Sequence, residues 1–277
     1  MKRLLPILTG LVFSLSSESA SADRLRIATE GAFPPWNATT PAGELVGFEA
    51  DLAHDLCRRM EADCEIVAQA WEGILAGLQQ GRYDAVMAGM AITDARLAKV
   101  DFAGPYATEP TVLATLSGSP LVNLRLPVDR VDLNSAGPEE EAALALLARH
   151  ITGMTIGVQV STIQAAFAER HFPGARVREY GKLDEAALDL AAGRLDAVLG
   201  SRSAVEALRI GADKSLTLVG PSFTRGVLGR GVGIAVRKGD GRDRIAFDQA
   251  IAAAQQDGTI KALSLRWFGF DVSLGVR

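Results

Sequence analysis

A short string occurs twice in this chain and limits what it can fold into. Gly81-Arg-Tyr-Asp-Ala-Val-Met-Ala-Gly89 resembles Gly193-Arg-Leu-Asp-Ala-Val-Leu-Gly200, and the Gly, Arg, Asp, Ala and Val of the two copies keep one common offset. Each copy follows an apolar stripe at helical spacing: Trp71, Ile74, Leu75 and Leu78 before the first, Leu183, Ala186, Ala187 and Leu190 before the second. The Gly then reads as a left-handed helix terminator and the apolar run as a buried strand. Two such helix–Gly–strand units predict two α/β lobes of related build. The alternative is coincidence, because short Gly-Arg-x-Asp strings also arise in generic α/β chains.

The remaining elements fit two lobes. Leu25 to Thr29 reads as a strand, and Phe48, Leu52, Ala53, Leu56, Cys57 and Met60 keep one helical stripe. Ile66-Val67 begins another strand. Met154–Val158, Ile163–His171 and Arg176–Glu179 read as strand, helix and strand. Strands alternating with helices predict mainly parallel sheets. Residues 118–138 look irregular, Pro138 opens a helix ending at Arg149-His150, and Ala246–Gln256 and Ile260–Trp267 look helical. Gly226, Gly229, Gly231 and Gly233 lead into a strand; a dinucleotide fingerprint needs a helix there, so that motif is rejected. The length, 277 residues, allows one large domain or two ordinary ones.

The N-terminus reads as an export signal. Lys2 and Arg3 precede the uncharged, mostly apolar Leu4 to Leu15, and Ala20-Ser21-Ala22 fits a signal-peptidase site. About 12 apolar residues are too few to span a bilayer. Cleavage after Ala22 is expected, and no Cys follows it, so no lipid anchor is expected. A net charge of −4 carries no basic excess, which argues against a nucleic-acid partner. In an oxidising compartment Cys57 and Cys64 are expected to form a disulfide. His54, His150 and His171 have no ligand spacing, so no metal and no cofactor is expected.

Ligands of open α/β sheets bind beyond the carboxyl ends of the strands. Those ends carry Glu30, Gly31 and Phe33; Ala88, Gly89, Met90 and Ala91; Gln159 to Thr162; and Gly200-Ser201. Arg96 stands out. Thr93 reads as an N-cap, which puts a cation in the first helical turn, where it opposes the dipole by roughly 0.3–1 kcal/mol. An anion held jointly by Arg96 and the free helix N–H groups would reverse that penalty. The plain alternative is a solvated Arg balanced by Asp94. Phe33 and Trp71 are candidate stacking walls, although an aromatic on a helix face also serves a core.

These residues carry a resemblance. Ile27-Ala-Thr-Glu-Gly-Ala-Phe-Pro-Pro-Trp-Asn37 and Gly43-Glu-Leu-Val-Gly-Phe-Glu-Ala-Asp-Leu-Ala53 resemble the periplasmic polar-amino-acid-binding proteins of ABC transporters. Tyr83 to Arg96, Phe102-Ala-Gly-Pro-Tyr106, Gly193 to Val198 and Asp257 to Phe268 extend the match over nearly the whole chain. Val67-Ala-Gln-Ala-Trp71 and Val219-Gly-Pro221 are similar to the octopine/nopaline-binding branch. Cys57 and Cys64 match the disulfide of the lysine/arginine/ornithine- and histidine-binding members.

The resemblance implies an α/β, two-lobed periplasmic-binding-protein fold with the ligand cleft between the lobes. The crossings are expected near Thr108–Val112 and Arg225–Gly231. Lobe 1 is then 23–110 with 229–277, and lobe 2 is 111–228. Arg96 would grip the ligand α-carboxylate, Phe33 and Trp71 would wall it, and Glu30 would meet a ligand nitrogen. Ala88, Gly89, Met90 and Ala91 would offer backbone groups, while Ser161 and Thr162, beside Gln159, would complete the carboxylate site. Three residues depart from the pattern: Ala91 replaces a Ser, Val160 a Gly, and Ser201 the Asp that plain amino-acid binders aim at the α-ammonium. The departures favour a secondary-amine, opine-like ligand. The implied partners are an amino acid or opine and a membrane permease, with the receptor a monomer. Two alternatives remain: a cyclohexadienyl-dehydratase-like enzyme using Glu30 or Glu109 as acid, and a receptor feeding a sensor kinase.

Overall fold

The computed structural model describes residues 24–209 and 215–273. The expected signal segment, 1–22, lies outside the described residues. The first sheet begins with β1 (Leu25–Thr29), whose Ile27 and Ala28 are fully buried. A small antiparallel sheet follows, β2 (Ala32–Phe33), β3 (Asn37–Thr39) and β4 (Leu45–Val46). Helix α1 (Phe48–Arg59) buries the predicted stripe of Phe48, Leu52, Ala53, Leu56 and Cys57, and Cys57 is disulfide-bonded to Cys64 at the start of β5 (Cys64–Ala68). Next come α2 (Ile74–Gln79), β6 (Ala85–Val86), α3 (Asp94–Leu97) and β7 (Asp101–Ala107). Trp71 precedes α2 rather than lying on it.

The chain then enters a second sheet through β8 (Thr111–Leu116) and β9 (Arg130–Asp132). α4 (Pro138–His150), β10 (Thr155–Gln159), α5 (Ile163–His171), β11 (Arg176–Tyr180), α6 (Leu183–Ala191), β12 (Ala197–Ser201), α7 (Arg202–Ala207) and β13 (Leu216–Thr224) complete it. The return is β14 (Val232–Val236), followed by α8 (Gly241–Gln256) and α9 (Thr259–Phe268), which pack on the first sheet.

The strand orders are β5-β1-β6-β14-β7 and β11-β10-β12-β8-β13-β9. The two repeat copies occupy matching places. Gly81 (φ 72°) and Gly193 (φ 74°) end α2 and α6 in the left-handed region. Asp84 then pairs with the backbone of Arg26, its N–H donating to Arg26 O (2.8 Å) and its carboxylate accepting from Arg26 N (2.9 Å). Asp196 does the same with Thr155, at 2.9 and 2.7 Å. The repeated Asp therefore fastens each incoming strand, β6 or β12, beside its parallel neighbour, β1 or β10.

The sheets are mixed rather than uniformly parallel. Pairs joined by a covering helix are parallel, as β1 is to β5 and β6, and β10 to β11 and β12. β14 is antiparallel to β6 and β7, and β8 is antiparallel to β12 and β13. The physical reason is the passage between sheets: β7 hands the chain to β8 within residues 108–110, and β13 hands it back to β14 within 225–231. With no helical crossover to turn them round, these strands run opposite to their neighbours.

Candidate functional site

A cavity of about 630 Å³ opens between the two sheets. Glu30, Phe33, Trp71, Ala88, Gly89, Ala91, Arg96, Gln159, Thr162 and Ser201 all line it. Met90, fully buried, and Ser161 line instead a neighbouring groove of about 850 Å³, which shares Trp71, Arg96 and Thr162 as a wall. Those two are the site candidates that the cleft does not include.

Arg96 is not the solvated residue of the plain alternative. Asp94 pairs with Arg230 instead. The Arg96 guanidinium donates to Ala91 O (2.9 Å) and to Ser161 O across the cleft (3.4 Å), and its carbon lies 5.3 Å from the Trp71 ring centroid. Among the described residues it has no carboxylate partner. Burial lowers its pKa to about 10, so it stays cationic at neutral pH. The expected help from helix N–H groups is reduced, because α3 is four residues long and the Arg96 N–H itself donates to Thr93 Oγ1 (3.2 Å). The cationic attraction comes from the side chain.

Glu30 follows directly on β1 with 8% of its surface exposed, and accepts from Gln159 Nε2 of the other lobe (2.7 Å). Burial pushes its carboxyl up to about 7; the Gln159 hydrogen bond and Lys182 pull the other way, while Glu49 and Asp184 add to the rise. Trp71 Nε1 likewise crosses the cleft, donating to Val160 O (3.0 Å). Thr162 Oγ1 donates to Gln159 O (2.7 Å) and accepts from Ala165 N (3.3 Å), so this hydroxyl caps α5 as well as lining the cleft. Ser161, next to it, holds a left-handed φ of 59°.

Two supporting groups stand behind these residues; the first escaped the sequence reading, and the second was considered there as an acid. Glu49, 1% exposed on α1, accepts from Gly89 N (2.7 Å), Asn37 Nδ2 (2.7 Å) and the Tyr106 hydroxyl. Asn37 Oδ1 in turn accepts from Gly31 N (2.8 Å). One buried carboxylate thus holds two cleft loops from behind, and the Gly89 N–H that the resemblance offered to a ligand is already engaged. Gly89 is in the left-handed region (φ 59°), and a Cβ there would come within 3.0 Å of the Phe33 ring, so glycine lets the ring lie against the loop. The second group is Glu109 in the first crossing. Its two oxygens accept from Trp36 Nε1 (3.0 Å) and from Ser203 N, and Trp36 Nε1 also donates to Ser203 Oγ (3.0 Å). The sequence signal was present: Trp36 ends the Phe-Pro-Pro-Trp string, and Glu109 was the one other acid considered for the cleft.

The arrangement is bipolar: a cation without a carboxylate partner, buried carboxylates, and aromatic faces between them. It suits a small zwitterionic or multiply charged solute. Comparison with known proteins agrees. Residues 25–270 match the family model of bacterial extracellular solute-binding proteins, family 3. The octopine-binding periplasmic protein of Rhizobium meliloti is 34% identical over 292 residues, covering 98% of this chain and 99% of its own. The L-arginine-binding protein of Pseudomonas aeruginosa is 35% identical over 277 residues, covering 98% of each. Among solved structures, a periplasmic His/Glu/Gln/Arg/opine family-binding protein from Silicibacter pomeroyi in complex with lysine superposes with a TM-score of 0.70 at 31% identity, covering 90% of this chain and 99% of that one.

Proposed function

The chain belongs to the bacterial extracellular solute-binding proteins, family 3, and from that premise we propose that it is a periplasmic receptor delivering a polar amino acid or an opine-like derivative to an ABC importer. The signal segment is removed after Ala22, and the receptor works as a monomer. Residues 23–110 with 229–277 form one jaw and 111–228 the other. The observation that carries the reading is the half-buried Arg96 guanidinium, which lies on the Trp71 face with no carboxylate partner among the described residues and shares its cleft with Glu30. Arg96 takes the ligand carboxylate, and Glu30 takes a cationic nitrogen.

Charge-assisted hydrogen bonds contribute about 1.5–3 kcal/mol each. Two or three of them with the aromatic walls are enough for micromolar binding, about −8 kcal/mol. Binding rather than turnover is favoured because both acids considered for catalysis are already hydrogen-bonded, Glu30 to Gln159 and Glu109 to Trp36 and Ser203. A thermal-shift screen with arginine, lysine, histidine, octopine and nopaline tests the proposal. A true ligand at a hundredfold excess over its Kd is expected to raise Tm by roughly 5–10 °C. Silence across the panel overturns the reading, and a response to the plain amino acids alone removes its opine part.

A further inference from the structure

Glu49 lies on α1 behind the cleft and is not part of the cavity lining. No cation pairs with it among the described residues, and its three partners are all donors. Oε1 accepts from Gly89 N (2.7 Å) and from the Tyr106 hydroxyl, and Oε2 accepts from Asn37 Nδ2 (2.7 Å). An ionised carboxylate has no proton to give, so it fixes the direction of every hydrogen bond around it. Asn37 turns its amide nitrogen to Glu49, which leaves Oδ1 for Gly31 N (2.8 Å). Burial raises the Glu49 carboxyl, and the three hydrogen bonds oppose that rise.

Both ends of this chain of bonds converge on Phe33. Asn37 is its partner in the β2–β3 pair, and Gly31, two residues before it, is held by the Asn37 side chain. Gly89, held at the other end, is the surface on which the Phe33 ring rests. The ring packs on the core of the first sheet and also on the apolar cluster of the second lobe that contains Leu183 and Val205. We infer that Glu49 is a positioning residue for ligand binding: through Asn37 and Gly89 it fixes the Phe33 wall, which the ligand meets and on which the second lobe closes. This rests on the reading of the cleft as an amino-acid or opine site. A wall ordered in advance spares the ligand the cost of ordering it, so the gain appears as affinity.

Glu49→Gln keeps the size of the side chain but aims an amide N–H at Asn37 Nδ2, donor against donor. Flipping the Asn37 amide only moves the mismatch to Gly31 N. Combining Glu49→Gln with Asn37→Asp removes it: the new amide donates to the new carboxylate, which still accepts from Gly31 N. Titration calorimetry with arginine and octopine, beside thermal melts, compares these variants with the wild type. Glu49→Gln is expected to weaken binding by at least about tenfold, and the double variant to recover to within about threefold of the wild type. Asn37→Ala cuts the link to Phe33 while leaving Glu49 two donors, so it stays informative if Glu49→Gln fails to fold; at least about threefold weaker binding is expected. A purely structural role gives a lower Tm with unchanged affinity in the folded protein. That pattern in either single variant, or a double variant that binds no better than Glu49→Gln, overturns the inference and leaves the receptor reading intact. A wild type that binds neither ligand overturns both.

Discussion

Glu30 follows directly on strand β1 with Gln159 as its side-chain donor, and its carboxyl rises from the ordinary 4.5 to about 7. The folded protein therefore holds a proton there that the unfolded chain has already lost. The stability linked to this proton is complete below about pH 4.5 and is lost as pH climbs to about 7, a change on the order of 3 kcal/mol. Glu30→Gln is expected to remove that slope from denaturant midpoints measured between pH 4.5 and 7. Ligand binding has the opposite sign. A cationic ligand nitrogen needs the ionised carboxylate, so its affinity is expected to rise by up to about tenfold per pH unit below 7 and then level off. Calorimetry across pH 5.5–8 checks this, and a flat profile would count against Glu30 as the partner of a ligand cation. Arg96 has no such window, because at a pKa of about 10 it is charged throughout. Arg96→Ala is expected to weaken binding by at least about a hundredfold, the size of one or two charge-assisted hydrogen bonds, with an unchanged melting profile. Arg96 was legible in the sequence because Thr93 marked its turn. The engagement of the Gly89 N–H was not, because its partner Glu49 lies 40 residues away on another element.

At the level of the elements, the repeated Gly-Arg-x-Asp units show what sequence can and cannot say. Helix end and strand start were readable from glycine and apolar spacing, and Gly81 and Gly193 both take the left-handed turn. The spacing gave the Asp of each copy no role, yet Asp84 and Asp196 fasten β6 and β12 to backbone groups of β1 and β10, 58 and 41 residues away. Such a contact follows from strand order, and strand order is a tertiary fact. Asp196→Ala is expected to cost about 2 kcal/mol, the worth of a hydrogen bond to a charged group, and to lower the denaturant midpoint of the purified protein. The Cys57–Cys64 bond ties α1 to β5 within the same lobe. Replacing both cysteines with Ser is expected to lose about 2.5 kcal/mol in chemical denaturation, from the entropy of so short a loop, while leaving ligand affinity within about twofold. A large loss of affinity would mean that the bond also shapes the cleft.

Across the whole molecule, the lobes meet through a few polar contacts: Trp71 Nε1 to Val160 O, Gln159 Nε2 to Glu30, Arg96 to Ser161 O, and Trp36 Nε1 to Ser203 Oγ. The sequence pattern pointed to two lobes and to the strand ends that face each other, but not to this set. Two of the acceptors are backbone carbonyls in the loop after β10, and their direction depends on the left-handed turn at Ser161. A carbonyl carries no sequence signature. Val160, which stands in that loop where the resemblance expects a Gly, thus contributes through its backbone. A ligand gains affinity from closure only to the extent that the closed arrangement is favoured over the open one. Trp71→Phe probes this term, because an aromatic face is kept against Arg96, on a smaller ring, while the donor to the other lobe is lost. One neutral hydrogen bond is worth about 0.5–1.5 kcal/mol, so affinity is expected to fall by roughly 3–10-fold. The loss belongs to a state formed after encounter, so it is expected in the dissociation rate, with association nearly unchanged. Stopped-flow fluorescence is read from a remaining tryptophan, because Trp71 itself is replaced. An unchanged dissociation rate would mean that the Trp71–Val160 contact does not help hold the lobes together, and that the ligand closes them through its own contacts.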